Sequence, residues 1–257
     1  MNTNVNLEAA LGVLAFLGSC CALLVAGLIF VHALIRGKRG RARFVLLAAS
    51  IGVAIYLGLM LAFSFASNEK RLVVGEEKHF CEIDCHLAYS VIDVRRTKSL
   101  GVAPDQLTAK GDFYLVTVKT RFDETTISSG RGQSPLTPNS RLVTVLDEQG
   151  RKYSPSPEGQ RALDVLKEGG TPLTTPLRPG ESYTTTLAFD LPADIQNPSL
   201  LINEGEWMTH LVIGHENSPL HKKTMFLIGP QTRKVQNNRG LGVRSVPAQM
   251  SVRVEHL

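Results

Sequence analysis

Charge is missing altogether from two stretches of this chain, residues 11–35 and 44–66. At the helical rise they reach roughly 37 and 34 Å, enough to cross a hydrocarbon core of ~30 Å with some tilt. Their apolarity is continuous rather than alternating, so helices, not barrel strands, are what would satisfy the backbone there. The leader lacks cations as well: Glu8 is the one charged side chain in residues 1–10. A secretory signal opens on basic residues and has a shorter apolar core, so this start argues against one. Leu17-Gly18-Ser19-Cys20 loosely resembles a lipoprotein cleavage box, yet the apolar run continues for fifteen residues beyond it. Cys20 and Cys21 are therefore expected as buried thiols of a first span.

Signatures of catalysis are also absent. There is no nucleophile elbow, no Gly-rich phosphate loop and no HExxH element. No internal repeat or low-complexity block is visible. The expectation is a protein that is not an enzyme.

Between the two apolar stretches stands a basic loop, residues 36–43, with Arg36, Lys38, Arg39, Arg41 and Arg43. The positive-inside bias puts this loop in the cytoplasm and both termini outside, in a bacterial plasma (inner) membrane. The loop holds five of the chain's 28 basic residues and the leader one of its 23 acidic ones, leaving 23 and 22 from residue 67 onward. The exposed part is thus nearly neutral, and the net charge of +5 marks topology, not nucleic-acid binding. Small residues recur at four-residue spacing, Gly18, Ala22, Ala26 and Gly58, Ala62, Ala66. Such rows either let two helices approach closely in lipid or reflect ordinary usage in membrane spans.

About 190 residues remain outside, enough for one domain with a sizeable core. Residues 67–86 read as a tether, with Leu72-Val73-Val74 as a short first strand. Strand patterns follow at 87–94, 112–122, 141–146, 151–153, 182–189, 200–202, 207–213 and 224–228. In 112–122, Tyr114, Val116 and Val118 alternate against Leu115, Thr117 and Lys119. One helix is expected over 158–167, stopped by Gly169-Gly170. Trp207 is expected as a core anchor, and residues 229–257 as a mobile tail.

The runs GDFYLVTVKTRFD, VLDEQGRKYSP and LRPGESYTTTLAFDLP resemble a bacterial immunoglobulin-like family of membrane-tethered surface domains, described as telomeric-repeat-binding-factor-like. The matching positions are Asp147, Gly150 and Tyr153, then Leu177, Pro179, Gly180 and Glu181, then Phe189, Asp190, Leu191 and Pro192. The resemblance covers residues 87–213. It implies an all-β immunoglobulin-like sandwich over 87–228 with no shared catalytic residues; together with the apolar stretches, the expected architecture is a two-helix transmembrane hairpin followed by that sandwich. The implied role is a membrane-anchored binding or scaffolding module whose partners are envelope proteins. A cysteine pair and a second anchor helix depart from the family's usual pattern.

That pair lies in His79-Phe80-Cys81-Glu82-Ile83-Asp84-Cys85-His86. In an oxidising compartment Cys81 and Cys85 suit a disulfide, provided the chain turns between them, since residues four apart in a strand lie about 13 Å apart. A copper or zinc site could instead use Cys81, Cys85, His86 and His79, all suitable ligands. A redox dithiol and a C-x3-C-H haem attachment are further readings. The layout parallels subunit II of haem-copper oxidases, but the position four beyond Cys85 is Tyr89 where a copper ligand would be needed. His210, His215 and His221, near Met208 and Met225, read as exposed loop residues, with a soft-metal surface as the alternative. A disulfide with no cofactor is the favoured expectation, metal handling or thiol redox the alternative.

Overall fold

The computed structural model describes residues 7–82, 85–104, 106–128 and 130–229, with the side chains of residues 7–10, 81, 82, 85 and 86 left aside. Two long helices lead, α1 (Leu7–Ile35) and α2 (Arg39–Ala66). The turn between them is shorter than the expected loop 36–43. Gly37, at φ 68°, ends α1 in the left-handed conformation glycine adopts freely, and α2 starts two residues on. Arg39, Arg41 and Arg43 fall inside α2, as arginine is a good helix former. The helices turn large apolar side chains outward: Leu24, Leu28, Phe44 and Phe65 are each at least 70 % exposed. Gly18 and Gly58 of the four-residue rows face open space; Gly12, Ala33, Ala42, Met60 and Ser64 are the buried positions among the described residues of the two helices.

A β-sandwich follows, made of β1 (Lys70–Leu72), β2 (Glu77–Glu82), β3 (Cys85–Leu100), β4 (Leu107–Asp123), β5 (Arg141–Leu146), β6 (Lys152–Tyr153), β7 (Ser182–Leu191), β8 (Ser199–Glu204) and β9 (Thr224–Leu227), with α3 (Pro157–Val165) between β6 and β7. One sheet runs β1-β9-β8-β5-β6, the other β2-β3-β4-β7. Residues 67–86, expected as a tether, hold β1 and β2. A three-residue strand has no local signal of its own; β1 exists because it pairs in parallel with β9, Lys70 opposite Thr224.

β4 is buried on both faces, which explains its near-continuous apolarity. Tyr114, Val116 and Val118 enter the core between the sheets with Tyr89, Phe122, Phe189, Ile202 and Phe226. Phe113 and Leu115 face a smaller cluster closed by Leu163 of α3. Ser156 caps α3 by accepting from the Gly159 N–H at 3.1 Å, and Pro157 opens its first turn. Gly159 lets α3 lie close to the sheet, since a Cβ there would stand 2.9 Å from that of Ala188.

The turn residues of the resembling motifs have local work. Asp147 accepts from the N–H groups of Gln149 and Arg151, from Arg151 Nε at 2.5 Å and from the Tyr153 hydroxyl at 3.1 Å, closing the β5–β6 hairpin. Glu181 accepts from Arg178 N–H at 2.7 Å, and Asp190 from the N–H groups of Lys110 and Gly111, each at 3.0 Å.

Residues 207–213 correct the expected strand. Trp207–Leu211 is a 3₁₀ turn, and Trp207 is 67 % exposed rather than a core anchor. The residues expected as a mobile tail lie outside the described residues from 230 on.

Candidate functional site

The helix-proximal end of the sandwich gathers most of the sequence candidates. β2 and β3 form a hairpin whose register sets Cys81 opposite His86 and Glu82 opposite Cys85. β2 and β3 run antiparallel to each other. The cysteines stand in adjacent rows. The side chains of Cys81, Cys85 and His86 lie outside the described residues, and with them the disulfide and the copper or zinc set.

His79 is described, and it joins an ion-pair cluster. Its Nε2 lies 3.5 Å from both Glu77 Oε2 and Asp123 Oδ2. Arg121 grips Glu77 with two parallel hydrogen bonds, at 2.9 and 2.8 Å, and approaches Asp123 at 3.4 Å. A guanidinium thus already balances the carboxylates that a metal would need. Its hydrogen bonds, working against desolvation, hold Glu77 below the usual carboxylate range. For Asp123 burial pushes upward, but hydrogen bonds from Thr125 and the Arg121 charge outweigh it and the net shift is down. Among the described residues no group of three or more His, Cys, Asp or Glu is arranged to hold a metal.

Behind this cluster, between the sheets, lies a second polar group that the sequence reading missed. Lys78 is 7 % exposed; its Nζ lies 2.7 Å from Glu216 Oε2 and donates to the carbonyls of Ile202 at 2.7 Å and Thr224 at 3.0 Å. Burial pushes the Lys78 pKa down, and Glu216 opposes that shift. Arg141 packs over the Phe80 and Tyr89 rings, 4.4 and 5.5 Å from their centroids, with Glu204 3.9 Å away. His215 Nε2 lies 3.3 Å from Glu204 while the Asn217 N–H donates to its Nδ1, so Nε2 carries the proton toward the carboxylate. Burial raises the Glu204 pKa, but the His215 bond and the Arg141 and Lys78 charges more than reverse it. Read as a strand, Lys78-x-Phe80 would have signalled an inward lysine, because alternate residues share a face.

The remaining histidines do not converge. His210 Nδ1 meets the Trp207 carbonyl at 3.1 Å and His221 Nδ1 the Lys222 carbonyl at 2.7 Å. His215 is half-buried, unlike the exposed loop residue expected.

The loop after β8 also joins the sandwich to the helices. The Tyr56 hydroxyl of α2 donates to the Leu211 carbonyl at 2.5 Å, and the Lys222 N–H to the Ser67 hydroxyl at 2.8 Å. Gly12 of α1 backs onto the Ile213 carbonyl so closely that any Cβ would collide with it. Two hollows remain. One, about 740 Å³, is an apolar groove along α1 and α2 that includes Cys20, Tyr56 and Leu211. The other, about 730 Å³, opens at the far end of the sandwich beside α3, between Lys110, Phe113, Ser156, Glu158 and Asp190.

No family model and no curated protein matches the chain. Among solved structures, it is similar to MPT63, a secreted protein of Mycobacterium tuberculosis, with 12 % identity over 62 % of this chain and 98 % of that one, at a TM-score of 0.38. The yjhA protein of Bacillus subtilis is 15 % identical over 62 % of this chain and 99 % of its own, TM-score 0.36. An uncharacterised β-sandwich protein of Clostridium difficile is 12 % identical over 63 % and 96 %, TM-score 0.33.

Proposed function

We propose that this protein is a non-enzymatic, membrane-anchored binding or scaffolding module of the bacterial envelope. In this reading α1 and α2 cross the plasma membrane, residues 36–43 stay inside, and the sandwich stands outside and meets other envelope proteins. The observation that carries it is the contrast between the two halves. The sandwich packs a core of large apolar residues between its sheets, whereas α1 and α2 turn most of theirs outward along their length. Outward apolar surface on helices of 29 and 28 residues suits lipid, and the cations cluster at the one turn between them.

The sandwich is immunoglobulin-like in this proposal. What supports it is the pairing of β4 with β7, β5 with β8 and β8 with β9, the pattern of strands B–E, C–F and F–G in that fold. The charged residues near the helices brace one another or backbone carbonyls, a structural use that fits a binding module. The open cleft at the far end, beside α3, is the surface best placed to meet a partner.

Cysteine accessibility tests the anchor. Lys38→Cys should be labelled only from the cytoplasm and Ser182→Cys only from outside, over the background of the unsubstituted chain. Labelling of both from outside would overturn the reading. Photo-cross-linking from position 110 in native membranes should then give a discrete adduct with an envelope protein.

A further inference from the structure

We infer that the 3₁₀ turn Trp207–Leu211 dips into the outer leaflet of the bilayer beside α1 and α2, with Trp207, Met208 and Leu211 among the lipids. This rests on the spanning reading of the helices and adds a third point of insertion, contributed by the sandwich itself. Three of the turn's five residues are large and apolar, and they are 67, 47 and 39 % exposed. Val102, Leu142, Val165 and Leu220 are exposed as well, but Trp207, Met208 and Leu211 share one short turn that is bonded to α2, and an apolar patch so placed has a specific use.

Its position supplies the occupant. Leu211 is held against Tyr56, which lies ten residues before the end of α2, or about 15 Å along the helix axis. Counted from Arg43, the last cation before the uncharged stretch, Tyr56 is thirteen residues along, roughly 20 Å into a ~30 Å core. The Leu211 carbonyl therefore sits about 10 Å inside the outer boundary, the depth at which interfacial elements bury their apolar face. Gly12 and Phe63 flank the same loop, through Ile213 and Gly214. The turn is continuous with the outward apolar surface of the helices, so the lipid that covers Leu57 and Phe65 covers it as well.

The backbone is prepared for that environment, where polar groups need partners within the protein. Thr209 N–H donates to Glu206, Val212 N–H to Thr209 and His215 N–H to Val212. The Thr209 hydroxyl adds a bond to the Glu206 carbonyl, and the Ser218 hydroxyl one to the Val212 carbonyl. Tyr56 takes the Leu211 carbonyl. Glu206 before the turn and Lys222 after it are exposed and mark where the chain meets water again. Tryptophan also favours the membrane interface, where its ring is apolar and its N–H is wet.

Trp207 is the only tryptophan in the chain, so it reports on itself. The full chain in phosphatidylcholine vesicles should lose at least half its emission when the acyl chains are brominated near the headgroup end. Aqueous iodide should quench it several-fold less than free tryptophan. Trp207→Phe combined with Leu211→Trp should move the response toward more deeply placed bromines. Full iodide quenching without bromolipid quenching would overturn the insertion. Protection from both quenchers would overturn it too, assigning the patch to a protein partner or a second copy. Alkaline carbonate separates this from failure of the underlying reading: release of the chain would overturn the spanning helices and the insertion together, whereas retention with iodide-accessible Trp207 would overturn the insertion alone.

Discussion

Lys78 of β2 reaches across the sandwich to Glu216 in the loop before β9, its Nζ 2.7 Å from Oε2. The pair joins the two sheets at the end nearest the helices. Glu216 in turn accepts from the Thr224 N–H, so one carboxylate holds both the lysine and the first residue of β9. Removing one partner of a buried pair strands the other, and the cost is larger than the net worth of the pair.

Lys78→Met should therefore destabilise the sandwich by about 3 kcal/mol or more. Arg161→Ala, which breaks an exposed i,i+3 pair with Glu158, should change stability by less than about 0.5 kcal/mol. Thermal unfolding of the full chain in detergent, followed by near-UV circular dichroism, measures both. Equal effects would show that Lys78 is not braced as described.

Acid should weaken the fold through Glu77, Asp123 and Glu204. All three carboxylates titrate lower in the folded chain than in the unfolded one. The unfolded state binds protons first, so their contribution is complete above roughly pH 4–4.5 and is lost as pH falls through the folded values. Arg121→Met should flatten the fall of melting temperature between about pH 5 and pH 3, because it removes the cation that lowers two of the three. An unchanged slope would remove Arg121 from that role.

Gly12→Ala should disturb the contact between α1 and the loop at Ile213, at a cost of roughly 1–3 kcal/mol for overpacking against backbone. Gly58→Ala, where a Cβ meets open space, should stay within about 1 kcal/mol of the original chain. A matching loss for both would mean that the helices and the loop are not packed as described.

Cys81 and Cys85 are proposed to be disulfide-bonded. Intact-mass analysis of the unreduced full chain should give a mass two protons below the fully reduced value, with alkylation reaching Cys20 and Cys21 only. Four alkylated thiols together with one equivalent of copper or zinc would establish the metal-handling alternative instead.

Sequence and structure agree where the signal is local. The alternation through residues 112–122, the Asp147-to-Tyr153 hairpin, the Pro179-Gly180 turn and the helix stopped before Gly169 are each specified by neighbouring residues. The short first strand expected at Leu72-Val73-Val74 forms instead at Lys70–Leu72, because its position is set by pairing with β9, far later in the chain, and β2 was hidden by the charge of Lys78 within its strand pattern. Trp207 was misread for a related reason. A large aromatic predicts burial from water, and the pattern alone does not distinguish a protein core from the surface beside two apolar helices. The Lys78, Arg141, Glu204 and Glu216 group is drawn from four separated segments, so no motif announces it.

The parallel pairing of β1 with β9 has a mechanical consequence. β1 begins only four residues after α2 ends, and its hydrogen bonds lock that short link to a strand deep in the sheet. The domain is therefore a mast stepped into a deck rather than a float on a line: torque on its tip passes into the helices. β3, at sixteen residues, gives it a height of about 50 Å. In the membrane-anchored arrangement proposed above, the cleft beside α3 would stand at a set distance from the bilayer, so that partners would be sorted by reach as well as by surface chemistry.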